Sequence, residues 1–242
     1  MGLHGDMTLQ LVSGPVKIAD LYGRSALNPD YVAVALVWTG YRLFVSEISE
    51  FRSIGLQQVF EVELDDGAIV RVSPSSHFVM KNGDRKLAPE LHPGESLLPL
   101  YLEEETQGYP TYRIPGKDVK QKLYRLIAEW KFGKSLPPGT DVEHIDGNRK
   151  NYAPDNLRIT PGKRGPKKRQ KHTLFKAYQA AQELLDECAA ASPMLAEIAR
   201  KKGRNNHKVV RVTPSRLEEV YTASIRSDDS VSVSGVFIEL AT

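Results

Sequence analysis

The chain has 242 residues, 40% of them hydrophobic and 26% charged, with a net charge of +3. This supports one large or two small domains with a substantial core, and excludes a disordered tail or a uniform polycation. A single cysteine, Cys188, excludes an intrachain disulfide framework and a cysteine-based zinc site, and reads as a small buried hydrophobe on a helix.

Residues 1 to about 101 read as β. Thr8 to Val12 is a short run ended by Ser13-Gly14-Pro15. Tyr31 to Trp38 is β-branched and aromatic, and Tyr41 to Val45 follows a Thr39-Gly40 turn. Val59 to Leu64 alternates, and Asp65-Asp66-Gly67 turns it into Ile69 to Val72, a strong hairpin signal. His77 to Met80 precedes the turn Asn82-Gly83-Asp84. Many short strands with frequent turns indicate an all-β domain.

Residues 102–117, with three glutamates and then Gly108, Pro110, Pro115 and Gly116, read as a linker. Asp118 is placed to cap a helix through Val119, Leu123, Leu126, Ile127 and Trp130, with Gly133 as its stop. Val142 to Ile145 reads as a strand, Asp146 to Asp155 as a loop, and Leu157 to Thr160 as the returning strand. Prolines and glycines disfavour a helix from Pro161 until about Lys167. Leu174, Tyr178, Ala181, Leu185 and Cys188 then mark an amphipathic helix, and Pro193 opens a second, stopped by Gly203. From Lys208 the β pattern returns in Val209 to Val212, Val220 to Ile225 and Gly235 to Ile238. The order β, mixed helical, β fits a discontinuous β domain carrying an inserted module.

The hairpin carries the chemistry. Hydrolysis of a phosphodiester needs a base for water and an oxygen ligand for a divalent cation, and Glu143 and His144 offer both. In an extended strand adjacent side chains point to opposite faces, so a distortion or the hairpin's end has to converge them. Lys163, Arg164, Lys167, Lys168, Arg169, Lys171 and Lys176 follow with no acid between Asp155 and Glu183, and Arg200, Lys201, Lys202 and Arg204 form a second basic group. Beside a hydrolytic site, these suit phosphate binding on DNA. Such contacts set affinity and register, while sequence is read at base edges. Tyr109, Tyr112 and Arg113 read as linker residues packed on a neighbouring surface.

Tyr124 to Trp130, Gly133, Asp141 to Asn148, Asn151, Asn156-Leu157 and Thr160 together closely resemble the HNH homing endonucleases over residues 118–161. The resemblance implies a ββα-metal hairpin and helix, with His144 as the general base that deprotonates water. It makes Glu143 a ligand for a divalent metal, magnesium or manganese, and Asn156 the residue that braces the loop. That family keeps a further ligand four residues after the threonine. Here that position is Arg164, which leaves His172 as the candidate replacement.

The β halves resemble an intein, the Hint fold. Gly5 to Leu9 with Gly14 to Leu21 looks like its start. Ser73 to Val79 with Ala88 to Tyr101 is similar to the block with a Thr-x-x-His pair. Asn206 to Val210, Glu219 to Tyr221 and Gly235 to Ile238 resemble the C-terminal blocks. Splicing needs a cysteine or serine nucleophile first and a terminal His-Asn pair. Gly2 stands at the first position, Glu239-Leu240 replaces the pair, and His77 reads as structural, so no splicing is expected.

The expected fold class is mixed: a discontinuous all-β Hint-like domain with an inserted α+β HNH (ββα-metal) endonuclease module. The divisions are 1–101 for the first Hint half, 102–117 for the linker, 118–205 for the HNH module with basic DNA-binding helices, and 206–242 for the second half. The expected function is that of a splicing-inactive homing endonuclease acting on double-stranded DNA, each monomer cutting one strand. An intein with mutated splice junctions and a DNA-binding protein without catalysis stay open as alternatives. With no run of about 18 apolar residues and no leader pattern over residues 1–6, a cytoplasmic protein without membrane contact is expected.

Overall fold

The computed structural model describes residues 1–40, 42–104, 110–114, 117–133, 135–137, 140–161, 207–225 and 229–240. In chain order, β1 is Leu3–His4, β2 Thr8–Leu11, β3 Gly14–Lys17, α1 Ile18–Leu27, β4 Ala33–Trp38, β5 Leu43–Leu64, β6 Ile69–Val72, β7 His77–Val79, β8 Arg85–Leu87 and β9 Ser96–Leu97. Then follow β10 Tyr101–Glu104, β11 Pro110–Ile114, β12 Lys117–Lys122, α2 Leu123–Lys131, β13 Thr140–His144, β14 Leu157–Pro161, β15 His207–Ile225, β16 Ser230–Val233 and β17 Val236–Glu239.

Both ends of the chain are woven into one twelve-stranded antiparallel sheet. β1 lies between β6 and β15, with Leu3 opposite both Val72 and Tyr221. From the other end, β16 pairs with β2, β4 and β17, and β17 pairs with β7. Alternation drives this in β2, where Leu9 and Leu11 are buried while Thr8 and Gln10 are partly exposed. The fold class is therefore a discontinuous β domain, as the sequence order indicates.

Two strands are far longer than the sequence suggests. Tyr41–Val45 and Val59–Leu64 read as separate strands, yet most of both belongs to the 22-residue β5. Its partner β15 runs 19 residues through Pro214, where the register with β5 shifts and spares the ladder the missing N–H. Two further expectations are corrected. Residues 18–27, read as part of a β region, form α1, anchored by fully buried Ile18 and Leu21. The supposed linker 102–117 is largely strand, since β10, β11 and β12 form a three-stranded antiparallel sheet. Its Tyr112 is buried, and the Tyr112 hydroxyl donates to the Gln121 side chain. The helix accordingly starts at Leu123 rather than Asp118, and Val119 lies in β12.

The chain leaves and re-enters the main sheet at one place. Leu97 of β9 is opposite His207 of β15, and Ser96 is opposite Lys208. α2 then packs back on the sheet through Leu123, Leu126 and Ile127, the apolar spacing of one helical face. These share a core with Leu36, Trp38, Leu43 and Val45 of the sheet, Phe237 of β17 and Leu157 of the hairpin. No helix among the described residues is long and apolar enough to cross a membrane.

Candidate active site

β13 and β14 pair without a register break from Thr140 opposite Pro161 to His144 opposite Leu157. Adjacent residues therefore face opposite ways. Val142 packs into the α2 core, and His144, two residues on, meets the Tyr124 ring of α2 edge-on at 5.2 Å between centroids. Glu143 faces away from α2, and its carboxylate accepts from the Arg158 guanidinium at 2.9 Å. No distortion within β13 brings Glu143 and His144 onto one face.

α2 fixes the hairpin by its polar side. Arg125 donates to the Thr140 carbonyl at 3.0 Å. Lys131, in the last helical turn, donates to the carbonyls of Pro154 at 2.7 Å and Leu157 at 3.3 Å. The Leu136 amide donates to the Glu129 carboxylate at 3.2 Å, and Gly133 takes the left-handed φ of 65° that closes the helix. Tyr124, Arg125 and Lys131 thus position the site. The sequence places them on the helix but carries no signal of what they touch.

The loop between the strands is braced from within. Asn156 accepts from the Asp146 amide at 3.0 Å and donates to the Asp146 carboxylate at 2.8 Å and the Asn151 carbonyl at 2.7 Å. Asp146 also accepts from the Asn151 side chain at 2.6 Å and the Asn148 amide at 2.8 Å. The Ile145 amide closes the ring onto the Asn156 carbonyl at 2.8 Å. Donation from Asn151, Asn156 and the Asn148 amide holds the Asp146 carboxyl below the usual range. Burial pushes the His144 imidazole below its ordinary 6.5, with Asp146 pulling it up and Arg149 pushing it down. His144 is therefore neutral at neutral pH, the form that accepts a proton. Replacing Asn156 with alanine should release the loop and lower the rate of any chemistry at His144 by about tenfold to a hundredfold, by misplacing it. Single-turnover kinetics would measure this, and global thermal unfolding should change little.

Lys163, Arg164, Lys167, Lys168, Arg169, Lys171 and His172, and with them the two expected basic helices and Cys188, lie outside the described residues.

The opposite end of the molecule holds the junction residues of the β halves. The Gly2 amide donates to the Ser73 hydroxyl at 2.8 Å, and the Gly2 carbonyl accepts from the Ser73 amide at 2.8 Å and the Ser76 hydroxyl at 3.1 Å. A Cβ on Gly2 would meet Ile54 Cδ1 at 2.8 Å and Val220 Cβ at 3.1 Å. Glu239 is ion-paired with Arg85, and His77 Nδ1 lies 3.5 Å from the Glu239 carboxylate.

Comparison with known proteins finds counterparts for both the hairpin and the sheet. The family profile described as HNH endonuclease matches residues 122–163, spanning α2 and the hairpin. The whole chain aligns with a mutant of the Ssp DnaB mini-intein at a TM-score of 0.51 and 11% identity, covering 100% of this chain and 99% of that one. It aligns with a DnaB intein from Synechocystis sp. PCC 6803 at 0.50 and 11%, with the same coverage. A DNA gyrase from Synechocystis sp. (strain ATCC 27184 / PCC 6803 / Kazusa) is 26% identical over 186 residues, which cover 66% of this chain and 17% of that protein. The fold is the intein, or Hint, fold, and an HNH endonuclease segment lies within it.

Proposed function

We propose that the protein is a homing-type DNA endonuclease lodged in an intein remnant that no longer splices. The single observation that carries this reading is the hairpin held by α2, with a neutral, half-buried His144 at its end and an asparagine-braced loop behind it. The Hint halves are 1–101 and 206–242, the connecting segment is 102–117, and the HNH module is 118–205. The gyrase relative, of which this chain matches only 17%, is the kind of DNA-handling host gene in which such an element would sit.

His144 takes the proton from a water aimed at the scissile phosphorus. Tyr124 holds the ring, and Asn156 and Asp146 hold the backbone that carries it. Glu143 would hold a divalent metal. Its carboxylate is a hard oxygen donor, 43% exposed at the open face of the hairpin and paired with a surface arginine. That fits a magnesium-class ion, which keeps several waters and takes one or two carboxylates. When bound, the metal neutralises charge on the phosphorane and stabilises the leaving 3′ oxygen, and His172 is the proposed second ligand. Lys163, Arg164, Lys167, Lys168, Arg169 and Lys171 bind the phosphates of double-stranded DNA. The protein works in the cytoplasm with the DNA, one strand cut per monomer.

A supercoiled plasmid bearing the uninterrupted host-gene site, incubated with the protein and magnesium, should become open-circular. A second reading, DNA binding without catalysis, is favoured by the Glu143–Arg158 pair and by the opposite facing of Glu143 and His144. A mobility shift on that DNA with no nicking in magnesium or manganese would establish it.

Restoring splice residues should not restore splicing. Gly2→Cys with Glu239→His and Leu240→Asn should give no ligated product between flanking tags on a denaturing gel. Overpacking against Val220 and Ile54 costs about 1–3 kcal/mol, and Arg85 loses its partner. Ligated product would identify an intein with mutated junctions instead.

A further inference from the structure

The neck of the inserted segment carries a second cluster with metal-ligating chemistry. Asp65 and Asp66 form the turn between β5 and β6, and His207 is the first residue of β15. One ligand atom from each lies within 4.8 Å of the others. We propose that Asp65, Asp66 and His207 bind a zinc-class divalent cation that pins the chain where it re-enters the sheet.

The geometry is set by the backbone. Leu97 and His207 are opposite each other in the sheet, and the Asp65 amide donates to the Lys208 carbonyl at 2.9 Å. The Ala68 amide occupies one oxygen of Asp66 at 3.0 Å and leaves the other 3.3 Å from His207 Nδ1. Tetrahedral ligands about 2.0–2.1 Å from zinc stand about 3.4 Å apart, so this edge is already at length. Asp65 is exposed and rotates in without backbone movement. The other imidazole nitrogen is turned toward Gly235, where an added Cβ would sit 3.5 Å from it, so Nδ1 is the nitrogen presented to the carboxylates.

Two further observations point to a ligand. His207 is only 8% exposed, a buried imidazole aimed at a solvent-facing acidic turn. Beside it, ring centroids 5.3 Å apart, the Tyr101 hydroxyl is buried with no hydrogen-bond partner among the described residues. Burial, then the charges of Asp65 and Asp66, push the Tyr101 phenol upward and keep it a donor. A water completing a zinc coordination sphere gives that donor an acceptor. Arg113 stacks on Tyr101 and is paired with Glu103 at 3.2 Å, which holds its charge back. An imidazole with two carboxylates selects zinc or cobalt over magnesium, which prefers oxygen donors and water.

The test uses the full chain, stripped with chelator. Zinc at a hundredfold excess over its Kd should raise Tm by about 5–10 °C. Titration calorimetry should weaken by about tenfold or more in His207→Gln and in Asp66→Asn. Glu143→Ala should leave this zinc binding unchanged, which separates it from the nuclease site. Both neck variants should keep a single cooperative transition in chelator, so lost binding is not lost folding. Cobalt should give the absorption of a tetrahedral site in the wild type and not in His207→Gln. No binding up to about 1 mM zinc, a Kd weaker than that of any functional site of this class, overturns the proposal. So does binding that survives both neck substitutions or disappears in Glu143→Ala.

Discussion

Changing His144 to alanine should slow conversion of supercoiled target DNA to the open-circular form by about 10²–10⁴-fold, the usual contribution of a positioned base. Affinity for the same DNA, measured by mobility shift in calcium, should stay near wild type, because the alanine leaves the basic residues untouched. The wild-type rate should also hold its plateau to a pH below the ordinary imidazole value, since burial lowers the His144 pKa and the base stays neutral further into acid. The same burial has a sign in stability. The unfolded chain takes up the proton at a higher pH than the folded one. This contribution is complete above about 6.5 and is lost as pH falls through the lower folded value. Equal nicking by wild type and His144→Ala would remove His144 from the mechanism. An acid limb above 6.5 would remove the argument from burial.

The hairpin was legible because its residues act locally. Asp146, Asn148, Asn151 and Asn156 satisfy one another across ten residues, so spacing alone locates the loop. The discontinuous sheet was legible for a related reason, since alternating runs at both ends of the chain need partners that the middle lacks. What failed was anything decided across the fold. β5 and β15 are one long pair with bulged registers, and each half-strand reads as separate because Gly55 and Pro214 look like breaks. The strands at 101–122 are rich in charge and proline and carry no clean alternation, so they pass for a linker. α1 has only Ile18 and Leu21 as fully buried anchors, too few for a helical period to stand out. At the site, Tyr124 and Lys131 act by where α2 docks, and docking depends on residues as distant as Phe237.

That dependence gives the largest stability effect. Phe237 is fully buried on β17 in the core shared with α2, with the Trp38 ring 5.9 Å away and its amide on the Leu98 carbonyl at 3.2 Å. Phe237→Ala should lower the unfolding free energy by about 3–5 kcal/mol, combining lost transfer energy with a cavity the sheet cannot close. Against the roughly 5–15 kcal/mol typical of a domain, this is a large fraction. The corresponding drop in Tm is about 6–20 °C. The site should fail with it, because Leu123 and Ile127 lose part of the floor on which α2 rests, and α2 holds His144 through Tyr124 and β13 through Arg125. Thermal melts followed by sheet circular dichroism and by DNA nicking should therefore fall together in wild type and shift together in the variant. Separate transitions, with nicking outlasting the sheet, would show that the hairpin and α2 hold their own structure without the core they share with the intein fold. A loss below about 1 kcal/mol would mean that the core closes over the missing ring, contrary to the packing of Trp38 and Ile127 around it.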